Sequence, residues 1–271
     1  MDRKEQNRMQ EGPTGSRTAG GTRNYRIVLQ YEGTRYDGWQ KQGNTAETIQ
    51  GKLEAVLERM AGVPVEVHGS GRTDAGVHAA GQVANFRLPA DWEPAEAIQA
   101  YLNRYLPEDI RVLEAAPAPE RFHSRLSAVE KCYLYRVETG AKRDVFSRRT
   151  QYALGRELDL EAMEQGARLL CGTHDFKSFC GNRKMKKSTV RTISSIQIRR
   201  EPGSSLVEMV FVGNGFLQNM VRILAGTLIE VGLGRRTWQS VKETLEAKDR
   251  QAAGPTAPPE GLCLEWVHYG P

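Results

Sequence analysis

The order of strand-like and helix-like segments most constrains how this 271-residue chain can fold. Tyr25–Tyr31 alternates apolar and polar residues in the manner of a strand. Apolar residues then recur at helical spacing from Ile49 to Met60, and Gly62 ends the pattern where a left-handed cap is expected. The next predicted elements are two strands, a helix and a strand, at residues 63–68, 82–88, 94–106 and 110–115. This order, βαββαβ, is the ferredoxin-like arrangement.

The second half of the chain can be read in nearly the same order. Its predicted elements are strands at 130–138, 192–199, 206–212 and 262–269 and helices at 160–170, 216–231 and 238–248. Pro117–Pro119 marks the expected boundary between the halves. We therefore predict an α+β fold of two ferredoxin-like halves, residues 25–119 and 120–271, after a disordered tail at 1–24. The halves would share a central mixed, mostly antiparallel sheet with helices on one side.

Composition and charge limit the possible classes of function. The hydrophobic fraction is 39% and the charged fraction 26%, and no apolar run approaches the roughly 18 to 20 residues of a membrane helix. Residues 1–24 lack the apolar stretch of a signal peptide, so we expect a cytoplasmic protein. Lys plus Arg exceed Asp plus Glu by 38 to 33, which favours a polyanionic partner. The scattered cysteines and histidines show no metal-ligand spacing, so no metal site is predicted.

The segment Gly69–His78 is unusually dense in residues with special roles, since it holds three glycines, an arginine, an aspartate and a histidine. It has neither a Walker motif nor a dinucleotide-binding fingerprint, so no cofactor site is predicted. The simplest interpretation is a glycine-rich turn. Alternatively, the glycines let a ligand approach the backbone, while Arg72 and Asp74 present a phosphate-binding group and a carboxylate at one opening. Composition alone leaves both interpretations open.

Two further features suggest a site. Arg222 is the only formal charge in the largely apolar segment 216–229; it either lies at the helix edge, pairs with a structural carboxylate such as Glu230, or pairs with Asp74. In the last case it would keep that carboxylate ionised and aim it. Tyr133 and Tyr135 share one face of a strand, where they could stack on unpaired bases or pack in the core. We expect the sheet face opposite the helices to form an open platform for RNA.

Several motifs occur in order along the chain. They are YEGTRYDGWQ at 31–40, GRTDAGVH at 71–78, FHSR at 122–125, KCYLY at 131–135, HDF at 174–176, SF at 178–179, VR at 190–191 and MVR at 220–222. Together they closely resemble the TruA-type tRNA pseudouridine synthases. The resemblance covers essentially everything after the tail, and GRTDAGVH is its most specific string.

The resemblance implies a homodimer that isomerises uridines at positions 38, 39 and 40 of the tRNA anticodon stem-loop without a cofactor. It places the catalytic aspartate, a nucleophile, on Asp74, the uracil-contacting tyrosine on Tyr133 and the aspartate-pairing arginine on Arg222. Arg72 matches an arginine that helps handle the flipped nucleotide. The family often has histidine just before Met-Val-Arg, whereas this chain has Gln218-Asn219, a departure that we expect to concern RNA contact.

The competing interpretation is a non-catalytic RNA-binding protein built from two RRM-like modules. It would use the same basic surface and aromatic residues. The sequence lacks an RNP1 string, however, and a binding module gives no reason for Asp74. We therefore predict an enzyme with tRNA as its partner and no membrane association.

Overall fold

A computed structural model describes residues 21–89, 94–141, 144–182 and 184–270 of the chain. Most of the predicted tail, residues 1–20, lies outside the described residues. The described residues form an α+β fold with a ten-stranded mixed sheet and five α-helices. The predicted fold class is confirmed. No helix of the described part is long and apolar enough to cross a membrane.

The strands are β1 Thr22–Tyr31, β2 His68–Gly69, β3 His78–Pro89, β4 Ile110–Pro117, β5 Ala128–Glu138, β6 Tyr152–Ala153, β7 Gly172–Asp175, β8 Val190–Arg200, β9 Leu206–Gly213 and β10 Leu262–Tyr269. The helices are α1 Ile49–Ala61, α2 Ala95–Tyr105, α3 Leu160–Leu170, α4 Met220–Gly232 and α5 Ser240–Ala247.

The sheet runs in the order β4-β1-β3-β10-β5-β9-β8-β7, with β2 on β3 and β6 on β5. The four principal strands of each half therefore lie in the spatial order fourth, first, third, second. The halves meet where β10 pairs in parallel with β3, with Cys263 opposite His78 and Leu264 opposite Ala79. Because β2 is only two residues long, the rest of that edge of β3 is open to β10. The boundary at residues 119 and 120 stays a prediction.

Local sequence explains the ends of α1 and the burial patterns of β1 and α4. The alternating apolar residues of β1 are all buried. The side chain of Thr48 accepts a hydrogen bond from the first turn of α1, and the helix ends at Gly62 with φ of 70°, the left-handed cap that the sequence predicts. Helix α4 is buried around nearly its whole circumference, which explains its continuous apolar sequence.

Several predicted boundaries were wrong, including the start of β3, which lies four residues before the predicted residue 82. The strand expected at 63–68 is almost absent, because Val65 and Val67 are buried in the core while only β2 pairs with β3. The helix expected from Phe216 begins at Met220, because Asn219 has a left-handed backbone with φ of 59°. Strand β1 starts three residues earlier than expected, at Thr22. Strands β6 and β7 were not predicted, since two and four residues give no readable alternation.

Candidate active site

Residues 69–78, which connect β2 to β3, are here called the Asp74 loop. Main-chain hydrogen bonds hold it against the turn that follows β1. The Trp39 N–H donates to the Thr73 carbonyl at 3.0 Å, and the Gly76 N–H donates to the Tyr36 carbonyl at 3.2 Å. The loop is thus fixed on both sides of the aspartate by its own half of the chain.

Close packing explains several residue types around the Asp74 loop. Gly38 has φ of +98°, and a Cβ there would lie 2.7 Å from the Thr73 carbonyl oxygen. The buried hydroxyls of Tyr31 and Thr73 are 2.8 Å apart. His78 Nδ1 accepts from the Gly33 N–H at 2.9 Å, and burial lowers the pKa of His78. We infer that His78 is a neutral anchor of the loop.

Residues 216–222, which lead into and begin α4, are here called the start of α4. Two side chains of this segment donate hydrogen bonds to the carboxylate of Asp74. Arg222 Nη1 lies 3.2 Å from Asp74 Oδ2, and Asn219 Nδ2 donates to the same oxygen at 2.5 Å. No hydrogen bond to Oδ1 of Asp74 occurs within the described residues. The structure therefore brings Asp74 and Arg222 together, while Glu230 pairs with Arg236 instead.

A second contact fixes the direction of the Arg222 guanidinium. Its Nε donates to the Ala257 carbonyl at 2.8 Å, and the Ala257 N–H donates to the Arg222 carbonyl at 3.0 Å. The segment 253–257 packs so closely on α4 that a Cβ on Gly226 would lie 2.0 Å from the Pro255 carbonyl oxygen. The arginine side chain is only 15% exposed, so its charge acts on Asp74 with little solvent between them.

Tyr133 and Tyr135 lie on the same face of β5, but their surroundings differ. Tyr133 packs edge-on against Phe216, with ring centroids 5.2 Å apart. Burial raises the pKa of Tyr133, and the nearby charge of Asp74 adds to that shift. Tyr135 is fully buried and its hydroxyl donates to the Pro258 carbonyl at 2.8 Å. Tyr135 therefore serves the core, and Tyr133 lies beside the carboxylate.

Tyr133 does not lie on the sheet face opposite the helices, where the sequence predicts an open platform for RNA; that platform stays a prediction. Tyr133 shares its face with the core residues Phe211 and Leu264, and Asp74 meets α4, so the group lies on the face that carries the helices. The opposite face of β5 carries an ion pair between Arg136 and Glu208 instead. Alternation along a strand identifies which residues share a face but not which face the helices cover.

Two basic residues near Asp74, Arg72 and Lys131, differ in their exposure and contacts. Arg72 is exposed and has no ion pair or hydrogen bond within the described residues. Lys131 Nζ donates to the Ser70 carbonyl at 2.6 Å. Burial, together with the charges of Arg125 and Arg191, lowers the pKa of Lys131 to about 8. Arg72 thus presents an exposed positive charge on the Asp74 loop, of the kind that contacts phosphate groups, while Lys131 braces the backbone of that loop.

Sequence reasoning missed the roles of Phe216 and Asn219 and the partial burial of Lys131. The departure Gln218-Asn219 was the available signal, but it was expected to concern RNA, whereas Asn219 contacts Asp74. A cleft of about 370 Å³ opens beside this residue. Its lining residues are Gly181, Asn219, Arg250, Gln251, Ala253, Gly254, Pro255 and Thr256. All four cysteines are free, and no cluster of potential metal ligands occurs in the described part of the chain.

Comparison with known proteins identifies the class. A family model described as tRNA pseudouridine synthase matches residues 27–126 and 167–270. The chain is 46% identical over 246 residues to tRNA pseudouridine synthase A of Bacillus sp. (strain KSM-64), covering 91% of this chain and 99% of that protein. The protein of the same name from Clostridium kluyveri is 44% identical over 247 residues, covering 91% and 100%. That of Geobacillus sp. (strain WCH70) is 46% identical over 245 residues, covering 90% and 97%.

Fold and comparisons together define an α+β isomerase that modifies tRNA. The chain belongs to the tRNA pseudouridine synthase family.

Proposed function

We propose that this enzyme converts uridine to pseudouridine at positions 38, 39 and 40 of the tRNA anticodon stem-loop, with Asp74 as its single catalytic carboxylate and no cofactor. The contact of Asp74 with Arg222 and Asn219 is the observation that carries the proposal. It is the arrangement that a reacting carboxylate needs, with one oxygen held and the other available.

The reaction breaks the N1–C1′ bond, turns the uracil and joins C5 to C1′. It is redox-neutral, so a carboxylate and a binding site suffice in principle. Asp74 would act as a nucleophile at C1′ or C6, or as a base at C2′. After the new bond forms, the proton on C5 is lost to solvent or to a basic group and the freed N1 takes up one proton, so atoms balance without a further reactant.

Each remaining group has a distinct proposed task. Arg222 aims Asp74 through its two fixed contacts. A paired target must leave the base stack at a cost of a few kcal/mol, and the ring of Tyr133 would offset part of that cost by contacting the uracil. Arg72, which is exposed, would hold the nucleotide backbone.

Assembly and location complete the proposal. We infer that the enzyme acts in the cytoplasm, and that it is a homodimer, as the resemblance implies. Sedimentation equilibrium of the full-length protein, with and without tRNA, tests the dimer. A mass of one chain under both conditions would contradict it. Full activity after exhaustive dialysis against chelator is expected, and its loss would contradict cofactor independence.

The central experiment replaces Asp74 with asparagine. Asn keeps the size of the side chain but removes the reacting oxygen, so we expect pseudouridine formation on unmodified tRNA to fall by about 10³-fold or more. Binding of the same tRNA should persist. Asp37→Asn is the matched control, because Asp37 is exposed nearby and contacts Thr45; it should remain active. Retained activity of Asp74→Asn would overturn the proposed role.

The proposed target positions need a separate measurement. Three tRNA transcripts, each with one uridine among positions 38 to 40 and cytidine at the other two, should each gain one pseudouridine there. A transcript with cytidine at all three should gain none. Modification elsewhere in that last transcript would contradict the target assignment while leaving the chemistry intact.

A further inference from the structure

We propose that Asn219 is a positioning residue of the reaction, which holds Asp74 by Oδ2 together with Arg222 and so reserves Oδ1 for the nucleotide. The inference rests on the proposed function of Asp74. Its basis is the contact of Asn219 Nδ2 with Asp74 Oδ2 at 2.5 Å. Because an ionised carboxylate only accepts hydrogen bonds, the amide nitrogen of Asn219 must face it.

The backbone of Asn219 supports a dedicated role for the side chain. The residue has φ of 59° and ψ of 4°, the left-handed conformation, and its side chain forms no capping hydrogen bond with α4. Asparagine at a helix N-cap normally caps the first turn. Here the side-chain oxygen caps no N–H of α4, and the amide nitrogen donates to Asp74 on the other half of the sheet.

The neighbouring chain also fits the amide closely. The Gly181 N–H donates to the Gln218 carbonyl at 2.8 Å. A Cβ on Gly181 would lie 2.2 Å from Asn219 Oδ1, so any larger residue would displace the amide. Gly181 thus provides the space in which the Asn219 side chain can reach Asp74.

The two donors on one oxygen have a chemical consequence. Arg222 and Asn219 fix the carboxylate plane from one side, and Oδ1 has no hydrogen-bond partner within the described residues. An oxygen without a partner keeps its lone pairs for an incoming atom, and the fixed plane sets the direction of approach. Asn219 therefore acts through Asp74 and needs no contact with RNA.

Replacing Asn219 with glycine or with alanine separates the effect of its side chain from that of its left-handed backbone. Both lose the amide donor, but only alanine is strained in the left-handed conformation. We expect both to lower the single-turnover rate by about 10-fold or more at saturating enzyme. The dissociation constant for tRNA should change less than about two-fold. The melting temperature should fall for Asn219→Ala only.

Two further variants test the donor and its setting. Asn219→His keeps an N–H donor on a residue type that tolerates the left-handed region, so it should recover part of the rate. Gly181→Ala should lower the rate by displacing the amide while leaving Asp74, Arg222 and Asn219 unchanged in sequence. Both effects should appear in the turnover rate and not in tRNA binding.

A purely structural role for Asn219 predicts a fully active Asn219→Gly, and that result would overturn the inference. It would leave the proposed function intact provided that Asp74→Asn is inactive. If Asp74→Asn retains activity, the proposed function itself fails. A loss of tRNA binding that accounts for the whole effect of Asn219→Gly would likewise overturn the positioning role.

Discussion

The Asp74 loop and the start of α4 meet at one carboxylate, but they are held in different ways. The loop is fixed mainly by main-chain hydrogen bonds to its own half, such as those to Trp39 and Tyr36. The start of α4 acts through individual side chains, chiefly Asn219 and Arg222. The comparison indicates that the first region supplies the reacting group and the second supplies its orientation.

The largest expected effect in this comparison comes from Arg222→Lys. The guanidinium serves both Asp74 and the Ala257 carbonyl, and a lysine ammonium cannot reproduce that fork. A lost charge-assisted contact of about 1.5–3 kcal/mol predicts a turnover that is roughly 10- to 150-fold slower. Single-turnover kinetics and tRNA binding, measured together, should show the loss in rate.

Arg236→Lys is the matched control for that prediction. Arg236 also joins one carboxylate, that of Glu230, and one carbonyl, that of Ala252, but away from Asp74. Its loss should lower stability and leave turnover near the wild-type value. Equal rate losses in the two variants would show that Arg222 acts only through stability.

The next largest difference is expected between the two tyrosines of β5. Tyr133→Leu removes the ring beside Asp74, and a stacking contribution of about 1–3 kcal/mol predicts a loss of roughly 5- to 150-fold in activity. Tyr135→Phe removes only the hydrogen bond to Pro258, so it should cost about 1 kcal/mol of stability at normal turnover. The pair is assayed by kinetics and by urea unfolding. A slow Tyr135→Phe would contradict the division of roles.

The side chain of Lys131, in the second half of the chain, donates a hydrogen bond to the backbone of the Asp74 loop. Its pKa is lowered to about 8 in the folded protein, while about 10.4 is usual in unfolded chains. Below pH 8 Lys131 is protonated in both the folded and the unfolded state. Burial of its charge therefore lowers the free energy of unfolding over that whole range. Between pH 8 and 10.4 the folded state releases the proton first, so this cost shrinks as pH rises.

Lys131→Met tests that linkage. The free energy of unfolding of wild type relative to Lys131→Met should rise by on the order of 1.4 kcal/mol for each pH unit within this window. Urea unfolding of both proteins between pH 7 and 10.5 measures the difference. Titration of the buried tyrosines and cysteines is common to both and cancels. A difference that is constant over the window would contradict a buried, charge-crowded Lys131.

The smallest effect is expected within the Asp74 loop itself. Thr73→Val keeps the shape of the side chain but removes the buried contact with Tyr31, which should cost about 1 kcal/mol in the free energy of unfolding. Because main-chain hydrogen bonds still hold the loop, turnover should fall only a few-fold. Thr45→Val, which alters an exposed hydroxyl, is the control. A Thr73→Val rate as low as that of Arg222→Lys would contradict the view that main-chain hydrogen bonds hold the Asp74 loop.

Much of the fold could be predicted because its signals are local. The alternation of β1, the cap at Gly62 and the apolar sequence of α4 follow from neighbours within one or two turns. The strand expected at 63–68 failed because apolar residues that are buried in a core and those that pair in a sheet look alike in sequence. The start of α4 failed because asparagine in the left-handed region was not anticipated.

Local sequence patterns are sufficient to predict the element order, the glycine-rich loop and a lone charge in an apolar helix. These follow from turn chemistry, periodicity and the cost of burying a guanidinium. The tertiary structure was needed to learn that Tyr133 lies on the helix-bearing face, that Asn219 shares Oδ2 with Arg222 and that Lys131 is partly buried against the Ser70 carbonyl. Each depends on residues more than 60 positions apart being brought together by the pairing of β3 with β10 and of β10 with β5, which no local pattern encodes.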